Sequence, residues 1–390
     1  MNIQSAVSKG KLVVFSSAEK ADEPRVFFKV ARSAAEAGYE VVLIARHSGS
    51  EVRNGVRIEP IRPARNRLAR MAGSTWSAFV KAMRERADVY QFSDPELLPF
   101  GLLLQLMTRR PVIYDLREFH AERIREKFWL PRALRLPLAK AYELAERLAV
   151  RWLAGLSAVN ADLASRGRPG RVAIVPNYPP RSVFGGESPG AMSLRGRYEG
   201  RRVVLFMGGI SEDRGALVAV RAMSEVWAAV PEALLMFVGQ IHNPAFEAEL
   251  RGVAETLGLR DAVEIVGLVQ HEAVPAYLAL AEVGLCLLQP QTRRYALTEP
   301  IKFFEYAAAG VPQVVSDLPA LRRLTERTGN GILVDSSDPG RVASAVVRLL
   351  QNREEACQMG ERGRRAFTAE YNWDVAFGRL EALYQAVMRK

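Results

Sequence analysis

The tightest constraint on the fold is a rhythm: short apolar runs, each followed by a segment with helical spacing, arranged in two successive series. The first series contains Lys11-Leu-Val-Val-Phe15, Glu40-Val-Val-Leu-Ile44, Asp88-Val-Tyr-Gln-Phe92, Pro111-Val-Ile-Tyr-Asp115, Leu156-Ser-Ala-Val159 and residues 172–176. Helical patterns fall over 26–37, ending at Gly38, and around 97–107 and 139–153. Strand, helix, strand repeated in this way predicts a parallel sheet covered on both faces. Residues 179–200, rich in Gly, Pro and Ser, read as a linker. The series then restarts with Arg202-Val-Val-Leu-Phe206, Ala233-Leu-Leu-Met-Phe-Val238, Val263-Glu-Ile-Val266, Val283-Gly-Leu-Cys-Leu287, residues 311–316 and Gly331-Ile-Leu-Val334. A chain of 390 residues suits two cores better than one. The expected fold class is α/β, with domains over 1–180 and 181–370. Open sheets bind ligands at the carboxyl ends of their strands, so two facing sheets would enclose a cleft.

Residues 298–310, Thr-Glu-Pro-Ile-Lys-Phe-Phe-Glu-Tyr-Ala-Ala-Ala-Gly, place a cation and a carboxylate one helical turn apart at the start of a helix. Pro300 suits a first helical position and Gly310 a C-terminal cap. A helix N-terminus attracts anions through unpaired N–H groups and the helix dipole, and Lys302 in the first turn reinforces a phosphate site. Glu305, three residues on, lies on the same face and suits vicinal hydroxyls such as those of a ribose. Together they describe a nucleotide diphosphate.

The turn after the strand at 203–206 reads Met207-Gly-Gly-Ile-Ser-Glu-Asp-Arg-Gly215, with a helix following. Gly208 and Gly209 let a phosphate approach the backbone, and Arg214 offers it a forked donor.

The pairing of Phe-Met-Gly-Gly-x4-Arg-Gly with Pro300-x-Lys-x-x-Glu-Tyr-x-x-x-Gly-x-Pro312 resembles the donor site of retaining glycosyltransferases, specifically glycosyltransferase family 4. The resemblance extends through Asp22-Glu-Pro-Arg-Val-Phe-Phe-Lys29, residues 88–99, Tyr114-Asp-Leu-Arg-Glu118, Pro176-Asn-Tyr-Pro179 and Tyr371-Asn-Trp373. It implies two Rossmann-like domains facing a cleft, the glycosyltransferase B fold. It also implies a C-terminal helix over 371–390 crossing back to the first, acceptor-binding domain. In such enzymes the residues matching Arg214 and Lys302 bind the donor diphosphate, the residue matching Glu305 holds the ribose, and the backbone of the stretch matching Gly267 and Leu268 reads the base. The family pattern departs at Gly209, where many members have Arg. At Leu297 many have a first acidic residue, here displaced to Glu299, so Leu297, Thr298 and Glu299 become the candidates for sugar contact. Relatives often carry His where this chain has Ser93 and Arg117; Arg117 could grip a sugar hydroxyl or a phosphate. Asp94 and Glu96 follow a strand, where Asp94 suits either a ligand or a helix N-cap ahead of Pro95. Glu118 and His120, expected in a loop, join Asp94 as acceptor candidates, and Asp115 also follows a strand.

No carboxylate nucleophile stands in a diagnostic motif. The resemblance therefore favours front-face substitution, in which the departing diphosphate takes the acceptor proton while Arg214, Lys302 and the helix tip stabilise its charge, with Arg117 assisting. His47, His120, His242 and His271 show no metal-ligand spacing, so no metal and no cofactor beyond the nucleotide-sugar co-substrate is expected. Uridine is the base that family tendency favours. The expected acceptor is a saccharide or a lipid-linked saccharide of cell-envelope or exopolysaccharide synthesis. A nucleotide-sugar 2-epimerase on the same scaffold is the alternative enzyme.

The net charge of +11 is uneven: residues 1–180 carry 30 Lys plus Arg against 18 Asp plus Glu. Such a field draws in nucleic acid, anionic lipid or phosphorylated substrate. Nucleic acid is disfavoured because no recognition helix or stacking sheet is evident. Basic residues between Arg62 and Arg70, and from Arg123 to Lys140 around Phe128, Trp129 and Leu130, suit peripheral contact with an anionic membrane. No apolar run reaches the roughly 18 residues of a spanning helix. Residues 1–10 are polar, and Cys286 and Cys357 form no disulfide framework. A cytoplasmic protein at the inner face of the cell membrane is the expectation.

Overall fold

The structure, a computed structural model, describes residues 8–62, 73–127, 130–184, 191–291 and 293–389. The chain divides into two compact units. One comprises Met1–Asn177 with Trp373–Lys390, and the other Tyr178–Asn372.

The first unit is built on an eight-stranded sheet: β1 Lys11–Lys20, β2 Glu40–Arg46, β3 Glu51–Arg53, β4 Val56–Ile61, β5 Val89–Phe92, β6 Val112–Leu116, β7 Gly155–Ala158 and β8 Val172–Ile174. Their order is β3-β4-β2-β1-β5-β6-β7-β8. Every pairing is parallel except β3 with β4. The inner strands are buried apolar runs, as a sheet covered on both faces requires. Phe15, Phe92 and Tyr114 stack across β1, β5 and β6, with centroids 5.5 and 5.0 Å apart. The Trp373–Met388 helix belongs to this unit: Trp373 Nε1 donates to Ser33 Oγ at 2.9 Å, and the Tyr384 hydroxyl donates to Gln91 Oε1.

The structure adds two elements to the sequence reading and corrects one expectation. The β3–β4 hairpin and the Thr75–Arg84 helix were not foreseen. Asn54 and Gly55 both have positive φ, 52° and 77°, the turn that an Asn-Gly pair between short strands favours, so the hairpin did have a signal. Residues 179–200 are not simply a linker. Ala191–Arg197 is helical, and Tyr198 is buried against the second unit's sheet with its hydroxyl donating to Glu264 at 2.9 Å.

The second unit has six parallel strands: β9 Arg202–Met207, β10 Ala233–Val238, β11 Val263–Gly267, β12 Ala281–Cys286, β13 Gln313–Ser316 and β14 Gly331–Val334. Their order is β11-β10-β9-β12-β13-β14. The order reverses between β9 and β12, which opens a crevice at their carboxyl ends. The Ala216–Ala229 and Pro339–Gln351 helices cover one face through a core including Val220, Met223, Val342 and Val346. Tyr306 and Leu278 pack on the other.

Candidate functional site

At the end of β9 the backbone of Gly208 takes φ 92°, and its N–H donates to Val238 O at 2.9 Å. Gly239, which follows β10, lies so close that a Cβ there would sit 1.8 Å from Gly208 O. Neither position tolerates a side chain, so the two strand ends form a bare backbone floor. A short Glu212–Arg214 turn follows, with Gly215 in the left-handed region leading into the Ala216–Ala229 helix. The Arg214 guanidinium folds back over Gly209: a Cβ there would meet Arg214 Nη1 at 2.9 Å.

The Ile301–Ala309 helix delivers Lys302 to this floor. Pro300 is its N-cap residue rather than its first helical residue, and no side chain caps the first turn. Gly310, φ 72°, ends it as expected. Tyr306 fixes the helix against β9, its hydroxyl donating to Leu205 O at 2.8 Å and accepting from Met207 N at 3.0 Å. Gly284 on β12 leaves room for that ring, because a Cβ there would lie 2.7 Å from it.

Lys302 does not face open solvent. It is 3 % exposed, and its Nζ lies 4.0 Å from the centre of the Phe206 ring with no hydrogen-bond partner. Its Cε is 3.9 Å from where a Gly208 Cβ would stand. Burial, with Arg214's charge adding to it, pulls the pKa down to about 8, against the smaller opposing influences of Cys286 and Glu305. An unpartnered ammonium beside bare backbone and an uncapped helix tip is a site prepared for an anion. Glu305 is half-buried on the same helix face, close enough to act on Lys302.

Asp213 and Tyr295 tie the turn to the segment before the helix, and the sequence reading missed both. The Tyr295 hydroxyl donates to Asp213 Oδ2 at 2.6 Å, Ser211 Oγ donates to Oδ1, and Arg294 stands 3.6 Å away. Burial opposes ionisation of Asp213, but the Ser211 and Tyr295 hydrogen bonds and the charges of Arg214 and Arg294 outweigh it and lower its pKa. Leu297 ends this Arg293–Leu297 segment, and the Thr298 hydroxyl donates to Arg294 O at 2.9 Å. Leu297, Thr298 and Glu299 are all half-buried. Gly267 ends β11 with φ 84°, its carbonyl accepting from Gly239 N at 2.8 Å. The Leu268 side chain is 73 % exposed, leaving its backbone as the group available beside the floor.

The remaining candidates belong to the first unit. Asp94 does not cap the helical turn it precedes. Its buried carboxylate accepts from the Ser16 hydroxyl, from Ser17 N at 2.6 Å and Oγ at 2.9 Å, and from Ala18 N at 3.0 Å, holding the segment after residue 15. Arg117 is ion-paired, its Nε donating to Asp115 at 2.8 Å with Glu23 at 3.7 Å. Asp115 also takes two bonds from Arg25, at 3.0 and 2.9 Å, and one from Ser157 at 2.8 Å. Burial works against this carboxylate, yet Arg25, Arg117 and Ser157 together hold it far below the usual range. Glu118 is exposed and paired with Arg123. His120 is not in a loop: it opens the His120–Glu126 helix, its ring 6.1 Å from that of Tyr142 and its Nε2 buried without a partner. Burial lowers its pKa to about 4, so it is neutral at physiological pH. Among the described residues no group of three or more His, Cys, Asp or Glu is placed to hold a metal ion.

Comparison with known proteins gives a match in each unit. Residues 25–178 match the family described as "Glycosyl transferase 4-like domain", and residues 201–352 match "Glycosyl transferases group 1". A GDP-mannose-dependent alpha-(1-6)-phosphatidylinositol monomannoside mannosyltransferase of Mycobacterium tuberculosis is 32% identical over 192 residues, 48% of this chain and 49% of that protein. An alpha-D-kanosaminyltransferase of Streptomyces kanamyceticus is 27% identical over 196 residues, 50% and 48% of the two chains. The chain thus spans about half the length of the curated relatives it matches. Among solved structures, sucrose-phosphate synthase from Thermosynechococcus elongatus superposes with a TM-score of 0.76 at 18% identity, over 97% of this chain and 99% of that one. Anabaena HepE in complex with UDP and glucose gives 0.74 at 14% identity, over 97% and 100%. With a family match in each unit and this shared architecture, the chain belongs to glycosyltransferase family 4 and has the glycosyltransferase B fold.

Proposed function

We propose that this protein transfers a hexosyl group from a nucleoside diphosphate sugar, with retention of configuration, to a saccharide or lipid-linked acceptor in cell-envelope or exopolysaccharide synthesis. The observation that carries the reading is Lys302, a buried ammonium with no hydrogen-bond partner at the uncapped start of the Ile301–Ala309 helix, beside Gly208. A diphosphate supplies the missing acceptors. Arg214, lying over Gly209, adds a second cation, and Glu305 one turn on accepts from ribose hydroxyls.

Charge builds on the diphosphate as the glycosidic bond breaks, and fixed donors in a water-poor setting stabilise it more than they stabilise the intact donor. The acceptor hydroxyl then attacks from the side the diphosphate leaves, and the diphosphate oxygen takes its proton. The backbone around Gly267 and Leu268 reads the base. Anabaena HepE was crystallised with UDP and the mycobacterial relative uses GDP-mannose, so uridine and guanosine donors are the first to compare.

A thermal-shift panel of UDP-, GDP-, ADP- and TDP-sugars is the test, since a ligand bound by the folded state alone raises the melting temperature. One base is expected to stabilise the protein, and its free diphosphate should compete. No shift with any of them, at concentrations up to about a millimolar, would defeat the proposal. Sugar isomerisation without acceptor would replace transfer by epimerisation.

A further inference from the structure

The Arg132–Trp152 helix of the first unit has three faces rather than two. Ala139, Glu146, Ala149 and Val150 are buried. A second stripe, Leu134, Leu138, Ala141, Ala145, Leu148 and Trp152, repeats at alternating intervals of four and three and is exposed along its whole length. Trp152 is 71 % exposed and Leu148 53 %. The third face carries Lys140, Arg147 and Arg151, all exposed.

The neighbouring Leu98–Thr108 helix carries an exposed apolar side of its own. Leu103, Leu106 and Met107 share one side of it and are exposed, Leu106 at 77 %. Gln105 locks the ends of the two helices together: its Nε2 donates to Trp152 O at 2.8 Å and its Oε1 accepts from Ala154 N at 2.7 Å. Arg109 and Arg110, exposed at the end of this helix, add to the basic border. Among the described residues Arg109, Lys140 and Arg151 make no ion pair.

Apolar side chains scattered singly over a surface need no explanation, whereas a full-length exposed stripe ending in a tryptophan, with a second exposed apolar face on the neighbouring helix and cations beside both, does. Two occupants could cover it. A second copy of this chain, docked face to face, would set one basic rim against another. An anionic bilayer accepts both parts: acyl chains take the leucines, the indole sits at the headgroup level, and the phosphates meet the arginines.

We propose that this two-helix face docks the protein on an anionic lipid bilayer. The inference deepens the lipid-linked-acceptor reading by naming the surface that brings the enzyme to its acceptor, yet it stands on the first unit's side chains and not on the donor site. It also shifts the expected contact: residues 63–70, 128 and 129, which carry much of the sequence-based expectation, lie outside the described residues.

The test is co-sedimentation of the full chain with vesicles of phosphatidylcholine alone and of phosphatidylcholine with about 30% phosphatidylglycerol. The wild type should bind the anionic vesicles, more weakly as salt rises. Leu148→Gln with Trp152→Gln should reduce that binding about tenfold or more at unchanged melting temperature, both side chains being exposed. Lys140→Gln with Arg151→Gln should weaken it severalfold, on anionic vesicles only. Failure of the wild type to bind, or equal binding by the apolar double variant, would overturn the proposal. So would a dimer, seen by light scattering, that the same substitutions dissolve. Nucleoside diphosphate affinity on the same samples reports the donor site separately: lost vesicle binding with intact nucleotide binding supports docking. Intact vesicle binding with no nucleotide binding refutes the transferase reading and still supports docking.

Discussion

Replacing Lys302 by Met should make the protein more stable and, in the same step, weaken binding of the proposed nucleoside diphosphate. Lys302 is 3 % exposed and its pKa falls from 10.5 to about 8. At about 1.4 kcal/mol per tenfold, keeping this ammonium buried costs roughly 3 kcal/mol at neutral pH. The Phe206 face returns about 1 kcal/mol of that, and a thioether against the same ring retains part of the contact. Lys302→Met is therefore worth about 2 kcal/mol in the empty protein, or roughly 4 to 8 °C in the melting of a unit this size. The sign follows from proton counting. Below pH 8 lysine is charged in both folded and unfolded chains and the penalty is complete. As pH rises from about 8 to 10.5 the folded state has released its proton while the unfolded state still holds one, so wild-type stability climbs and the variant's advantage closes. Meanwhile a charge-assisted contact to the diphosphate is lost, about 2 kcal/mol or some thirtyfold in affinity. Denaturant unfolding at several pH values, paired with calorimetric titration of the preferred nucleoside diphosphate, measures both. A variant less stable than wild type near pH 7, an advantage that does not shrink at alkaline pH, or unaltered affinity would refute the reasoning.

Glu305→Ala should weaken nucleoside diphosphate binding about tenfold with little change in melting temperature, while the corresponding ribose-free diphosphate is unaffected; equal loss for both would remove the ribose role. Tyr306→Phe strands Leu205 O and Met207 N in the core, so it should destabilise by about 1 to 3 kcal/mol in urea and loosen nucleotide binding, and a neutral result would show that Tyr306 does not position the helix. Gly239→Ala drives a Cβ to 1.8 Å from Gly208 O and should abolish donor binding at residual folding, checked by nucleotide titration alongside circular dichroism. Asp115→Asn should destabilise by about 3 to 5 kcal/mol near neutral pH because Arg25 and Arg117 lose their counter-charge. The lowered pKa of Asp115 means that its contribution is present above its unfolded value of 3.8 and fades below it, so the gap to wild type should narrow in acid.

Most strands were legible because a sheet covered on both faces leaves its strands as unbroken apolar runs, and β14 falls where its four residues predict. The Lys302–Glu305 pairing was legible because one helical turn fixes it locally. What escaped depends on partners distant along the chain. The burial of Lys302 comes from Phe206, on a strand nearly a hundred residues earlier, and no local pattern carries that contact. Asp94 looks like a cap because it precedes Pro95, yet its carboxylate goes to Ser16, Ser17 and Ala18 within the neighbouring strand β1. The Asp213–Tyr295 bond likewise joins residues that only the sheet order brings together.

The return of the Trp373–Met388 helix to the first unit affects how the chain is made. A ribosome emits residues 178–372 as one uninterrupted piece, so that half can mature while synthesis is still under way. The first half waits: Ser33 and Gln91 meet Trp373 and Tyr384 only after residues 373–388 have emerged. Expression of residues 1–177 alone should therefore give an aggregation-prone fragment, whereas grafting 373–388 behind it, or permuting the termini, should yield a soluble one.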